Sequence, residues 1–271
     1  MSTAAQAWAE ALASWAIPEE ILAKAPESPW HFPVGLFARR AVAVGSQLTF
    51  SNKRALEALP EGGTVLDVGC GGGAASAPLA HRASRLVGVD TSPGMLEAFV
   101  EHTREAGGDA QAIEGSWPEA ADRTPVVDVA VCHHVVFNAP GLAAFALRLT
   151  DHARRRVVLE MTERHPMSDL NPLWLRFHGV VRPTSPTSDD AEAVLRELGL
   201  RPERRDWNQA RLGGYESVAE MVAHVRRMLC LPAERDPEVR EALAARIIER
   251  DDGFGFPDRP VTALWWHGSA R

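Results

Sequence analysis

The chain has 271 residues, of which 45% are hydrophobic and 24% charged, and a formal net charge of -7. This is an ordinary globular composition, long enough for one or two domains with a large core. The acidic balance speaks against a general nucleic-acid binder, which needs a basic face. No apolar run approaches a membrane span, and the Ala-rich N-terminus lacks a basic n-region and is interrupted by Glu10, so it does not read as a signal peptide. Cys70, Cys132 and Cys230 are odd in number, far apart and without zinc spacing, which fits a reducing cytoplasm.

Residues 1 to about 60 read as helical. Trp8, Leu12 and Trp15 recur at helical spacing, and Pro18 opens "IPEEILAKA". Three prolines in "APESPWHFPVGLF" then break the helix. "SNKRALEALPEGG" is a second helical stretch, with Ser51 or Asn52 as its N-cap. From Thr64 strands and helices alternate. "TVLDVG" is a strand and "AASAPLAHRA" a helix; "RLVGVD" is a strand and "SPGMLEAFVEHTREAGG" a helix. "AQAIEG" is the third strand and "VVDVAVCHH" the fourth. "GLAAFALRLTDHA" is a helix and "RRVVLEM" the fifth strand. "SDDAEAVLRELG" is a helix capped by Ser188, "PERRDW" a sixth strand, and "VTALWWHG" a seventh. The alternation implies an α/β fold, a parallel sheet wrapped on both faces. Two stretches interrupt it. One is residues 162–187. The other runs from about 208 to 260, reading as two helices and the loop "RDDGFGFPDRP"; long excursions of this kind are commonly lids or substrate sites.

The chemistry concentrates in "TVLDVGCGGGAAS", residues 64–76. Ligands of open parallel sheets bind at the C-terminal strand ends, and the first strand runs straight into these glycines. Gly69, Gly71 and Ala74 satisfy the relaxed dinucleotide fingerprint G-x-G-x-x-A, so a nicotinamide cofactor is one reading. Asp67 stands two residues before Gly69, where phosphates would be repelled and a positively charged ligand favoured. Gly73 completes D-x-G-x-G-x-G, and Asp90 ends the second strand, placed to accept from both hydroxyls of a ribose.

With "VLDVGCGGG" followed by "VGVDTSPGML", the sequence resembles the class I S-adenosylmethionine-dependent methyltransferases over residues 55 to 200, and "VTALWWHG" is similar to that fold's last, antiparallel strand. The resemblance implies a Rossmann-like doubly wound sheet of seven strands, S-adenosyl-L-methionine as cofactor and S-adenosyl-L-homocysteine as product. It implies that Gly69, Cys70, Gly71 and Gly73 form the loop behind the methionine part, with Asp67 near its amino end. It gives Asp90 the ribose, puts Thr91 and Met95 beside the adenosine, and sets His133 against the methionine part or the acceptor. Where the family often offers an Asp to adenine, this chain has "EGSWPE". Ser116 takes that place, and Trp117 either stacks on adenine or packs in the core.

Methyl transfer from a sulfonium is an in-line displacement in which the protein supplies positioning and desolvation, and a base only where the nucleophile needs one. His133 and His134 end the fourth strand and are the candidates for that base, one of them facing the site; the bland alternative is a loop histidine satisfied by backbone. Glu160, Glu163 and His165 follow the fifth strand and could orient an acceptor, or simply form a polar strand end. Trp174 and His178, with Trp30, His31 and Phe32, form either a substrate lid or domain packing. No metal is expected, since "CHHVVFN" lacks the acidic ligand some members of the family use. Arg154 to Arg156 read as a solvated face, and Arg226 and Arg227 either meet an anionic substrate or face water.

The domain expectation is a helical cap over 1–60, a methyltransferase core over 61–207 and 261–271, and a helical insertion over 208–260. The functional expectation is methylation of O or N of a small metabolite, without nucleic-acid or membrane partners, by a cytoplasmic monomer or homodimer. The alternatives are an NAD(P)-dependent oxidoreductase and a non-catalytic cofactor-binding module.

Overall fold

The computed structural model describes residues 3–30, 48–211 and 214–270. Seven strands form the central sheet: β1 (Gly63–Val68), β2 (Ala83–Asp90), β3 (Ala110–Glu114), β4 (Val127–His133), β5 (Ala153–Thr162), β6 (Glu203–Gln209) and β9 (Arg259–His267). Their order is β3-β2-β1-β4-β5-β9-β6. The first five are mutually parallel, and β9 runs antiparallel between β5 and β6. The expected seven-stranded, doubly wound α/β fold with one reversed strand is therefore present.

The central strands are apolar on both faces, as buried parallel strands are, and successive residues point to opposite sides. Leu66, Val68, Val89, Cys132, Leu159 and Trp266 pack on one face, under α1 (Thr3–Ala13), α5 (Leu142–His152) and α7 (Ser188–Glu197). Val65, Val129, Val131, Val158 and Trp265 pack on the other, under α3 (Phe50–Ala58) and α4 (Pro93–Glu105). Asp67, His133 and Glu160 share the second face, because Asp67 is register partner of Val131 and His133 of Glu160.

Four local expectations are corrected. The helix expected over 74–83 is only a 3-10 turn, Ala77–Leu79. Pro78 removes a helical N–H, and Gly71 to Gly73 weaken helix initiation. The cap of α3 is Thr49 rather than Ser51 or Asn52. Its hydroxyl accepts from Asn52 N at 3.1 Å, while Asn52 Oδ1 accepts from Thr49 N at 2.9 Å, a reciprocal box. Thr187 rather than Ser188 precedes α7, its N–H donating to Asp190 at 2.7 Å. The helix read through Glu249 stops at Leu243, and the expected loop beyond contains a hairpin of β7 (Ile248–Arg250) and β8 (Gly253–Gly255) turned at Asp252-Gly253.

A second core lies over the C-terminal edge of the sheet. It joins α2 (Glu19–Leu22), α6 (Asn171–His178), α8 (Val218–Met228) and α9 (Asp236–Leu243) through Trp174, Met221, Val225, Leu229, Val239 and Leu243, with Ile17 and Ile21 packed against them. The N-terminal segment and the insertion are thus packed together. Arg226 locks them: it is 6% exposed and donates to Glu27 Oε1 at 2.7 Å and Asp236 Oδ1 at 3.0 Å. It therefore neither meets an anionic substrate nor faces water, because both expectations overlooked acidic partners distant in sequence. α1 is pinned to the main core by Trp8, fully buried, whose Nε1 donates to Ala139 O at 2.9 Å. Among the described residues no helix is long and apolar enough to cross a membrane.

Candidate active site

The loop after β1 contains three left-handed glycines, Gly69 (φ 69°), Gly71 (φ 49°) and Gly73 (φ 84°). They exclude side chains for different reasons. A Cβ at Gly69 would be driven into Val135, and one at Gly73 would press on Phe99 at 3.2 Å. A Cβ at Gly71 would meet nothing within 4 Å among the described residues. Two glycines are thus demanded by the protein's own packing, and Gly71 alone of the three borders open space. Asp90, at the end of β2, ties this loop down. Its Oδ2 accepts from Gly71 N and its Oδ1 from Ser92 N, both at 2.9 Å. Each oxygen keeps a further lone pair, enough for a pair of ribose hydroxyls.

Asp67 lies directly beneath the loop. It is 1% exposed; Oδ2 accepts from Ser76 Oγ at 2.6 Å and Oδ1 has no partner among the described residues. Burial pushes its carboxyl up to about 7, against the Ser76 hydrogen bond and with help from the charge of Asp90. A buried carboxylate oxygen without a donor is costly. It fits a ligand that brings a cation or an N–H, as the ammonium-bearing end of S-adenosylmethionine does, and it would repel a pyrophosphate.

A second polar group stands one strand further along. Glu160 of β5 is 2% exposed. Its Oε1 lies 3.1 Å from His134 Nε2 and its Oε2 4.0 Å from His133 Nδ1. Burial alone would raise the Glu160 carboxyl; the positive charge that His133 and His134 carry when protonated and the hydrogen bond from His134 outweigh it and hold it down to about 2. His133 is shifted the other way: burial pulls it below its usual range despite Glu160. His134 sits at φ 60°, a left-handed conformation that costs a β-carbon-bearing residue about 1 kcal/mol or more. Its N–H donates to Glu160 O at 2.7 Å, which fixes the loop that presents its ring.

The remaining candidates separate into two sets. Thr91 is exposed and Met95 half-buried beside the loop, at the start of α4. Ser116 is exposed and gives its hydroxyl to Glu119 at 2.8 Å. His165 borders a cavity beyond the end of β5, and Trp30 is 55% exposed. His31 and Phe32 lie outside the described residues. Trp117, Trp174 and His178 take the packing alternative, and Cys70 brings no thiol to the site. Cys70 is buried under the loop with its Sγ facing Gly88, and its backbone N donates to Val89 O at 3.1 Å, so its thiol has no access to a ligand. Trp117 is in the core, its Nε1 donating to Phe145 O at 3.1 Å and its ring edge-on to His152, so it offers no face to adenine. Trp174 is 2% exposed inside the second core. His178 is taken up by packing, its Nε2 at 2.7 Å from Leu229 O and its ring against Trp174. The sequence reading missed the union of Glu160 with both histidines. Its signal was present, since adjacent parallel strands four and five bring "HH" and Glu160 into register.

Residues 65–156 match the family model described as a methyltransferase domain. A ubiquinone biosynthesis O-methyltransferase of Azorhizobium caulinodans is 37% identical over 84 residues, 31% of this chain and 33% of that one. A protein of the same description from Aeromonas salmonicida is 30% identical over 112 residues, 40% of this chain and 47% of that one. The chain thus spans a third to a half of the curated relatives it matches. Among solved structures, a protein of Bacillus halodurans C-125 described as a methyltransferase superposes with a TM-score of 0.53 at 16% identity, over 83% of this chain and 100% of the other. Magnesium protoporphyrin IX methyltransferase from Synechocystis PCC 6803, solved with S-adenosylhomocysteine, gives 0.50 at 18% identity, over 86% and 93%. Residues 65–156 are a methyltransferase domain, and the fold around them is that of the class I S-adenosylmethionine-dependent methyltransferases. A dinucleotide-binding sheet of order 3-2-1-4-5-6 has no reversed strand between its fifth and sixth, so the nicotinamide alternative gains no support.

Proposed function

We propose that the chain transfers the methyl group of S-adenosylmethionine to an oxygen of a small-molecule acceptor. The observation that carries this reading is the unpartnered Asp67 Oδ1 behind a glycine loop tied to Asp90. The cofactor supplies an electrophilic methyl group on a sulfonium. The chain's part is to hold, orient and desolvate. Asp67 takes the cationic end, Asp90 the ribose, and Gly71 leaves room for close approach. The acidic net charge supports a small acceptor over nucleic acid, and three free buried cysteines support a cytoplasmic setting.

The choice of oxygen rests on His134 and Glu160. His134 Nε2 donates to the buried carboxylate, which leaves Nδ1 with the lone pair, on a ring that is 32% exposed. That nitrogen can take the proton of a hydroxyl as its oxygen attacks; a free amine would need no such group. Glu160 is the positioning residue that fixes the tautomer. Calorimetric titration with S-adenosylhomocysteine, with NADH in parallel, tests the cofactor; binding of NADH alone would refute it. Methyl-labelled cofactor then tests the acceptor atom. Glu160→Gln should slow transfer about 100-fold while leaving the S-adenosylhomocysteine dissociation constant unchanged, and Glu160→Asp should recover part of the rate. An unaffected rate would remove the pair from the chemistry.

A further inference from the structure

Beyond the C-terminal end of β5 lies a cavity of about 300 Å³ that neither Asp67 nor Glu160 lines. Its walls are the residues leaving β5, the turn holding Ser168 and Asp169, Arg211 after β6, and Arg259 entering β9. The strands fix these walls: Glu163 N donates to Pro260 O at 3.0 Å, and Arg164 bridges to Thr187.

Positive charge exceeds negative here. Arg164 and Arg211 line the cavity with the carboxylates of Glu163 and Asp169, and Arg246 adds a third guanidinium from behind Asp169. Asp169 is shared: Arg211 pairs with its Oδ2, while Arg246 lies 3.5 Å from Oδ1 and also donates to its carbonyl. Both guanidiniums are braced on Phe256, at 5.3 and 5.2 Å from its ring centre. A carboxylate claimed by two arginines cannot neutralise both, so the wall keeps net positive charge on groups that are already ordered.

His165 adds a neutral donor. Its Nδ1 accepts from Met167 N at 3.3 Å, so Nε2 carries the proton. The ring is clamped against Trp15, with centres 3.9 Å apart, and edge-on to Phe137. Burial, with the charge of Arg182, pushes His165 down to about 4, so it stays uncharged at neutral pH. The lining is therefore rich in fixed donors, with its acidic groups already paired.

We infer that this cavity holds a carboxylate of the methyl acceptor; the word acceptor rests on the methyltransferase reading, the anion site does not. Guanidinium forks match a carboxylate in two parallel hydrogen bonds. The two wall carboxylates disfavour a dianion, and a volume at the low end of small-molecule sites suits a compact organic acid. β5 is the second strand from β1, about 10 Å across the sheet, which places an acid group a short molecule's length from the glycine loop.

The test uses the full chain saturated with S-adenosylhomocysteine. Benzoate, 4-hydroxybenzoate, phenylacetate and indole-3-acetate are titrated beside their amides and phenyl phosphate, with the Trp15 indole N–H resonance as local reporter. The acids should bind at least tenfold tighter than their amides and move that resonance. Arg211→Gln should weaken acid binding about tenfold, Arg211→Lys less, and neither should alter affinity for S-adenosylhomocysteine. Should Arg211→Gln lose its fold, Arg164→Gln serves in its place. Acids that bind no better than amides, a preference for phenyl phosphate, or acid affinity that survives in a folded variant would overturn the inference. Failure to bind S-adenosylhomocysteine would instead strike the methyltransferase reading, since acid against amide can be compared without it.

Discussion

Replacing Asp67 by Asn should make the empty protein more stable and the cofactor weaker. In the folded chain burial holds the Asp67 carboxyl at about 7, against 3.8 for the free group. Between those values the folded protein keeps a proton that the unfolded chain has released. Folding then takes up a proton, so this group's contribution to stability falls as pH rises through the window and is fully lost above about 7. Three pH units of difference correspond to about 4 kcal/mol at most. The substituted amide does not titrate. The gap in unfolding free energy between variant and wild type, read by urea denaturation at pH 5, 6, 7 and 8, should therefore widen by a little over 1 kcal/mol per unit up to pH 7 and then level off. Wild-type affinity for S-adenosylhomocysteine, whose ammonium needs the ionised carboxylate, should fall by up to about tenfold per unit below pH 7, and Asp67→Asn should bind weakly with a flat profile. A gap that does not change between pH 5 and 7 would refute the reasoning, because Asp67 would then titrate alike in both states.

Gly69→Ala and Gly71→Ala should separate fold from ligand. The first drives a methyl group into Val135 at φ 69° and should cost about 2–4 kcal/mol in urea denaturation. The second meets open space and should cost only the left-handed penalty of about 1–2 kcal/mol, while S-adenosylhomocysteine affinity drops at least as far as for Gly69→Ala. Asp90→Ala should weaken that affinity about tenfold or more and also free Gly71 N, visible as faster amide exchange in the loop. Arg226→Met should cost about 1–3 kcal/mol, discounted because Glu27 and Asp236 are partly exposed, and should speed exchange in α8 before the central sheet.

The central fold was legible because its signals are local and repeated. Apolar strand runs, glycine stops and helix periodicity placed β1 to β6 and β9, several to within two residues of their bounds. What escaped was decided by partners distant in sequence or by single backbone positions. Pro78 cut a helix whose alanines read as strong formers. Thr49 took a cap because Asn52 could answer it in reverse and still give Nδ2 to Ala75 O at 2.7 Å. Trp117 and Trp174 carry the same sequence signature as exposed aromatic platforms, and only the packing of α5 and of the second core shows them to be interior. Glu160 looked like one polar strand end among three until the β4–β5 register set it against both histidines.

The placement of polar groups along the sheet edge implies a division of labour. Asp67, His133 and Glu160 lie on one face of three neighbouring strands, β1, β4 and β5, the carboxylates buried and His133 half-buried, each keeping an oxygen or nitrogen unpartnered among the described residues. A folded chain tolerates one such atom readily; three in a row are several kcal/mol of uncompensated desolvation by general estimates. That cost is sensible only where ligands complete the bonds. On the proposed function the cofactor would complete the first, and an acceptor held from the β5 side the others. The second core then has a mechanical consequence. Because α2, α6, α8 and α9 share one apolar cluster, and Arg226 ties Glu27 to Asp236, no single segment of this second core can move without breaking contacts in the rest. Arg226→Met removes that tie, and stopped-flow exchange of S-adenosylhomocysteine reads the result. Faster exchange than in wild type would establish that movement of the second core limits ligand passage, and unchanged exchange would establish that ligand passes without it.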